Sequence, residues 1–126
     1  MPHERTRALR WGRELLADLA LDATVAAQRQ AWAARLLADY PTAEAVEKWI
    51  QEDAYALASE AAKAMADAAR LFSEVRFSAE GSATTRRDLT YTLRHFPQAD
   101  ECLRMTIQGW PGDCLGPWLA PETASG

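Results

Sequence analysis

The chain has 126 residues, of which 48% are hydrophobic, and a formal net charge of −4. This is enough apolar material for one domain with its own core, and it excludes a wholly disordered chain. The acidity argues against wholesale nucleic-acid binding, because phosphates select a basic surface, and no apolar run approaches the roughly 20 residues that span a bilayer.

Residues 4–40 carry a helical pattern whose face shifts along its length. Leu9, Trp11, Leu15, Leu16 and Leu19 share one side of the wheel, whereas Leu21, Val25, Trp32, Leu36 and Tyr40 centre a quarter turn away. A straight helix would place Asp18, Asp22 and Arg29 inside the second stripe. The spacing therefore predicts a break or bend near Asp22, which can cap a second helix. Tyr40-Pro41-Thr42 is then a tight connection, and a short connection makes its flanking helices antiparallel neighbours.

Thr42 to Val75 is free of Gly and Pro. Thr42 is the expected N-cap, and Glu44 sits in the first turn, where the helix dipole favours an anion. Val46, Ile50, Ala54, Leu57, Ala61, Ala64, Met65, Ala68, Leu71, Phe72 and Val75 keep to a stripe roughly 100° wide. One continuous helix of about 50 Å is predicted. Trp49 and Tyr55 fall on opposite margins of the stripe. Either more than two elements pack around this helix, or a margin joins a partner surface. Residues 41–75 hold seven acids against three bases, and residues 1–13 hold four arginines against one glutamate.

After Val75 the period changes. Apolar and polar residues alternate over Asp88–Phe96 and again over Cys102–Ile107, with Pro97–Glu101 as a hairpin loop between them. Val75-Arg76-Phe77 would open a first strand, with Glu80-Gly81-Ser82 turning back. The expectation is an antiparallel β-meander over residues 76–110. The competing reading has Thr85 capping a helix through Phe96 and a second helix after Pro97, which gives an all-α bundle. Residues 111–126 hold too many Gly and Pro for regular structure. Trp110 and Trp118 there either fill gaps in the core or meet a partner. The whole is read as one α+β domain: a long antiparallel helical hairpin or bundle over 4–75, a small antiparallel sheet, and a coil tail.

The inventory for chemistry is thin. Cys102, His95 and Asp100 can be written as a triad on residue type alone, and the bland reading is an exposed histidine and a half-buried thiol. No Glu-x-x-His pair, zinc-ligand spacing or phosphate-binding glycine loop is present. No catalytic residue, metal or cofactor is expected, and no membrane association. Cys102 and Cys114 read as free thiols in a cytoplasmic bacterial protein. The function expected is non-catalytic: binding of a protein partner, with homodimerisation as one form of it. A more specific version is a phage- or plasmid-borne inhibitor that lays an acidic face into a basic nucleic-acid channel, such as that of a CRISPR or restriction nuclease. Candidate partner-binding residues are Trp49, Tyr55, Glu52, Glu60, Asp67, Trp110 and Trp118. The other class is a small DNA-binding regulator that contacts phosphate through Arg7, Arg10, Arg86 and Arg87.

Overall fold

A computed structural model describes residues 2–52, 59–104 and 119–122. Among these residues every regular element is a helix: α1 (Pro2–Leu21), α2 (Ala27–Asp39), α3 (Ala43–Glu52), α4 (Ser59–Phe77), α5 (Ala83–Leu93) and α6 (Ala99–Arg104). None of them is long and apolar enough to cross a membrane.

The expected β-meander is overturned. Val75-Arg76-Phe77 ends α4, Asp88–Leu93 lies within α5, and Ala99–Arg104 is α6 rather than a loop and a strand. The fold is all-helical where α+β was expected, although residues 105–110 lie outside the described residues. The reason is that Thr85, Leu89, Thr92 and Phe96 recur at helical spacing, and all four are buried. The β-branched threonines cost a helix only tenths of a kcal/mol each, and this burial outweighs that cost. Ser82, rather than Thr85, is the N-cap: its hydroxyl accepts from the Thr85 amide at 3.2 Å. At α6 the Gln98 amide donates to the Glu101 carboxylate at 3.1 Å, with Asp100 and Glu101 in the first turn. Both acids suit the positive end of a helix.

The break near Asp22 is present, with α1 ending at Leu21 and α2 starting at Ala27. Thr42 caps α3, accepting from the Ala45 amide at 3.1 Å. The stripe expected over 42–75 appears in two stretches, α3 and α4. Ala54, Tyr55 and Leu57 lie outside the described residues. In α4, Ala64, Met65, Ala68, Leu71, Phe72 and Val75 are buried as expected, but Ala62, Ala66 and Ala69 are buried too. α4 is enclosed on more than one side because α2, α5 and α6 all pack against it. Its many alanines permit that close approach.

α1 packs against α2 and α5. Tyr40 donates from its hydroxyl to the Leu9 carbonyl at 2.6 Å, and Arg13 donates to the Tyr40 and Leu37 carbonyls, closing the C-terminus of α2. Gly12 lies at this crossing. A Cβ there would come within 2.5 Å of the Tyr40 hydroxyl and 2.6 Å of the Phe96 ring, so only glycine fits without a shift. Phe96 in turn meets Phe72 edge to face, with centroids 5.3 Å apart. The C-terminal residues 119–122 dock on α1: Leu119 is buried, Thr6 accepts from the Ala120 amide, and Arg10 grips Glu122 in a bidentate pair at 2.8 Å.

The two interhelical loops on one side of the bundle cap each other's helices. Asp22, from the α1–α2 loop, accepts from the Ser82 amide and the Thr85 hydroxyl at the start of α5. Glu80, from the α4–α5 loop, accepts from the Ala26 amide at the start of α2 and pairs with Arg29. Each carboxylate thus serves the helix that follows the other loop. The turn that aims Glu80 passes through Gly81 at φ +98°.

Candidate protein-binding site

The residues singled out in the sequence are dispersed by the fold. Trp49 is half-buried and packs against the core. Glu52 and Glu60 are exposed, with Glu52 3.9 Å from Lys48. Asp67 is half-buried and pairs with Arg70 at 2.8 Å. Tyr55, Trp110 and Trp118 lie outside the described residues, as does Cys114.

The four arginines considered for phosphate have internal partners. Arg10 holds Glu122, and Arg7 lies 3.8 Å from the same carboxylate with its guanidinium over the Trp11 ring. The hydrogen bonds from Arg10 hold the Glu122 carboxyl below its ordinary pKa. Arg87 pairs with Asp88 at 3.4 Å. Arg86 points inward and donates to the carbonyls of Val75, Arg76, Ser78 and Glu80, closing the C-terminus of α4. The orphan carbonyls of a helix end take a cation well.

The triad residues do not assemble. Cys102 is buried under α4, its thiol donates to the Pro97 carbonyl, and burial, with Glu101 and Asp100 adding, pushes its pKa up to about 12. A thiol so protonated is a poor nucleophile. His95 instead faces Glu4, with Nε2 2.5 Å from the carboxylate. Among the described residues no three His, Cys, Asp or Glu side chains are grouped to hold a metal ion.

What the fold does assemble is a line of three hollows. The first, of about 930 Å³, lies between the end of α4, the α5–α6 connection and the start of α1. Arg5, Arg70, Arg76, Arg94 and His95 wall it, against Glu74 and Glu101. Phe77, 87% exposed, stands at its edge under the Arg76 guanidinium. The second, of about 240 Å³, shares Arg94 and His95 and adds Glu4, Arg7, Trp11 and Tyr91. The third, of about 520 Å³, shares Trp11 and Tyr91 and continues to Glu14, Asp18 and Asp88. Arg94 stacks over Tyr91 at 5.3 Å. Burial raises the Asp18 carboxyl above its ordinary pKa, and the nearby Asp88 and Asp22 add to the rise. The surface therefore runs from cationic through aromatic to anionic.

Sequence reasoning missed Phe77, Tyr91 and Trp11 as exposed or half-exposed edges of one surface. Trp11 shares a wheel face with buried leucines, and Tyr91 reads as the middle of a strand. Only the contact between α1 and α5 joins them, and no local signal encodes it.

Comparison of the chain with protein-family models, curated proteins and solved structures finds no match.

Proposed function

We propose that this chain is a non-catalytic protein that works by binding another protein, and that the cleft at the end of α4 receives an acidic segment of that partner. The observation that carries this is the cleft itself: four arginines and a histidine around about 930 Å³, with an exposed phenylalanine at the rim. Arginine-lined hollows recognise carboxylate or phosphate groups on peptides, and an exposed aromatic beside them supplies the apolar anchor. A protein segment suits the site better than a nucleic-acid backbone. Glu74 and Glu101 interrupt the cationic wall, and Glu14, Asp18 and Asp88 continue the surface with the opposite sign. A long phosphate chain would be repelled there.

The acidic back supports a second reading. Glu44, Glu47, Glu52 and Glu60 are exposed on α3 and the start of α4, and such a face suits an inhibitor that occupies a basic nucleic-acid channel. Lys48 and Lys63 interrupt it, which is why the cleft is preferred.

A photo-crosslinking residue at position 77, used in the host cell, tests the proposal. The expected product is an adduct with a protein that bears an acidic segment, lost when Arg76→Glu is added. An adduct sensitive to nuclease, or no adduct at all, would reject it. An adduct with a basic nuclease formed from position 60 but not from position 77 would favour the second reading.

A further inference from the structure

The open face of α1 and α5 is graded in charge on both of its walls. On α1, Arg7, Trp11, Glu14 and Asp18 recur at helical spacing and share one face. On α5, running the other way, Asp88 precedes Tyr91, and Arg94 and His95 follow. The contacts fix the antiparallel register: Glu4 meets His95 at one end of the pair, and Asp22 meets Thr85 at the other. Cations therefore lie opposite cations, Trp11 and Tyr91 line the same two hollows, and Asp18 lies near Asp88. From Arg7 to Asp18 the gradient extends about 16 Å along α1.

Within the chain Arg7 pairs with Glu122, Glu14 with Arg10, Asp88 with Arg87 and His95 with Glu4, which leaves Asp18 and Arg94 as the charges of this face still to be matched. Among the described residues Asp18 has Asp88 and Asp22 as its charged neighbours, and Arg94 rests on the Tyr91 ring with no ion pair to a carboxylate. Like charges held side by side are relieved by an opposite charge brought from outside. A two-fold rotation about an axis through Trp11 and Tyr91 brings it. The cationic end of one copy would then cover the anionic end of the other, twice over, with the aromatics meeting at the axis.

The geometry points to a second copy of this chain as the occupant of this face, in an isologous two-fold dimer built on α1 and α5. A surface graded from positive to negative around an apolar centre is its own complement under that rotation. An unrelated partner would have to carry the same gradient over the same length. A nucleic acid, uniformly negative, matches one half and is repelled by the other. The dimer is held mainly by exposed charge pairs, so it is weak and weakened further by salt. The face shares Arg94 and His95 with the cleft, but the dimer does not require the partner proposed there.

Sedimentation velocity over a range of protein concentration and salt tests it. The wild-type chain should move from monomer to dimer as concentration rises at low salt, with affinity falling roughly tenfold in high salt. Asp88→Arg makes the α5 wall wholly cationic and Arg94→Glu makes it largely anionic, so each variant alone, with like charges facing on that wall, should remain monomeric. Mixed in equal amounts they should form a heterodimer, because every pair across the axis becomes attractive. Should Asp88→Arg lose its helical circular dichroism, Asp18→Arg mixed with Arg7→Glu serves in place of the first pair, because those two positions face each other across the axis on the α1 wall. A wild-type chain monomeric throughout at low salt, single variants that dimerise like wild type, or two folded variants that fail to associate when mixed would each overturn the inference.

Discussion

The junction of the α1–α2 and α4–α5 loops and the open face of α1 and α5 use the same residue types to opposite ends. At the junction, Asp22 and Glu80 each find donors on the opposing loop, and Arg86 finds four carbonyls. On the open face, Asp18 lies near another carboxylate and Arg94 rests on a tyrosine ring. Asp22, Glu80 and Arg86 in the first region each answer a helix end, so they hold the fold. Charges in the second region contribute little to the fold, which leaves them available to a partner. A charged residue's role is thus set by whether backbone groups of another element reach it.

The comparison is broken most directly by exchanging arginine for methionine in each region. Arg86→Met leaves the carbonyls at the end of α4 without their donor and should cost about 3 kcal/mol. Arg94→Met should stay within about 0.5 kcal/mol. Urea unfolding of the two variants measures the difference, and similar midpoints would contradict it.

A smaller effect is expected at Asp22. Hydrogen bonds, first from the Thr24 hydroxyl and then from the Ser82 amide and the Thr85 hydroxyl, hold its carboxyl well below the usual aspartate range. A carboxylate with a depressed folded pKa stabilises the fold at pH values above its unfolded pKa near 4. That contribution fades as pH falls from there toward the folded value. Asp22→Asn should lower stability by about 1 kcal/mol at neutral pH and flatten the acid limb of a melting-temperature profile below pH 4. An unchanged acid limb would show that the loop junction does not depend on this charge.

The smallest effects belong to the open surface. The Asp18 carboxyl has a raised folded pKa, so its ionisation works against the fold as pH rises through that value. Asp18→Asn should leave stability at neutral pH equal or slightly higher, and Phe77→Ser should move it by less than about 0.5 kcal/mol. A thermal melt of each suffices. A marked loss at position 77 would make that ring part of the core instead of a binding edge.

Local chemistry in the sequence determined a good part of the fold. The misplaced polar residues near Asp22 marked the first helix break, Thr42 marked a cap, and the apolar stripe marked the buried positions of α4. Each of these signals acts within a few residues of the structure it specifies. Residues 85–104 were misread because a nine-residue alternation of apolar and polar side chains satisfies a strand and one face of a short helix alike. Burial of Leu89, Thr92 and Phe96 against α1 and α4 resolves that tie, and burial is a property of the assembled bundle. The same holds for function. Arg86 reads as a free cation until α4 ends beside it, and Trp11 and Tyr91 are unrelated residues until α1 and α5 lie antiparallel. The sequence by itself therefore determined the break between α1 and α2, the start of α3 and the face that α4 hides. Only the tertiary structure decided which charges are spent on helix ends and which remain to meet another molecule, because that depends on groups brought together from distant parts of the chain.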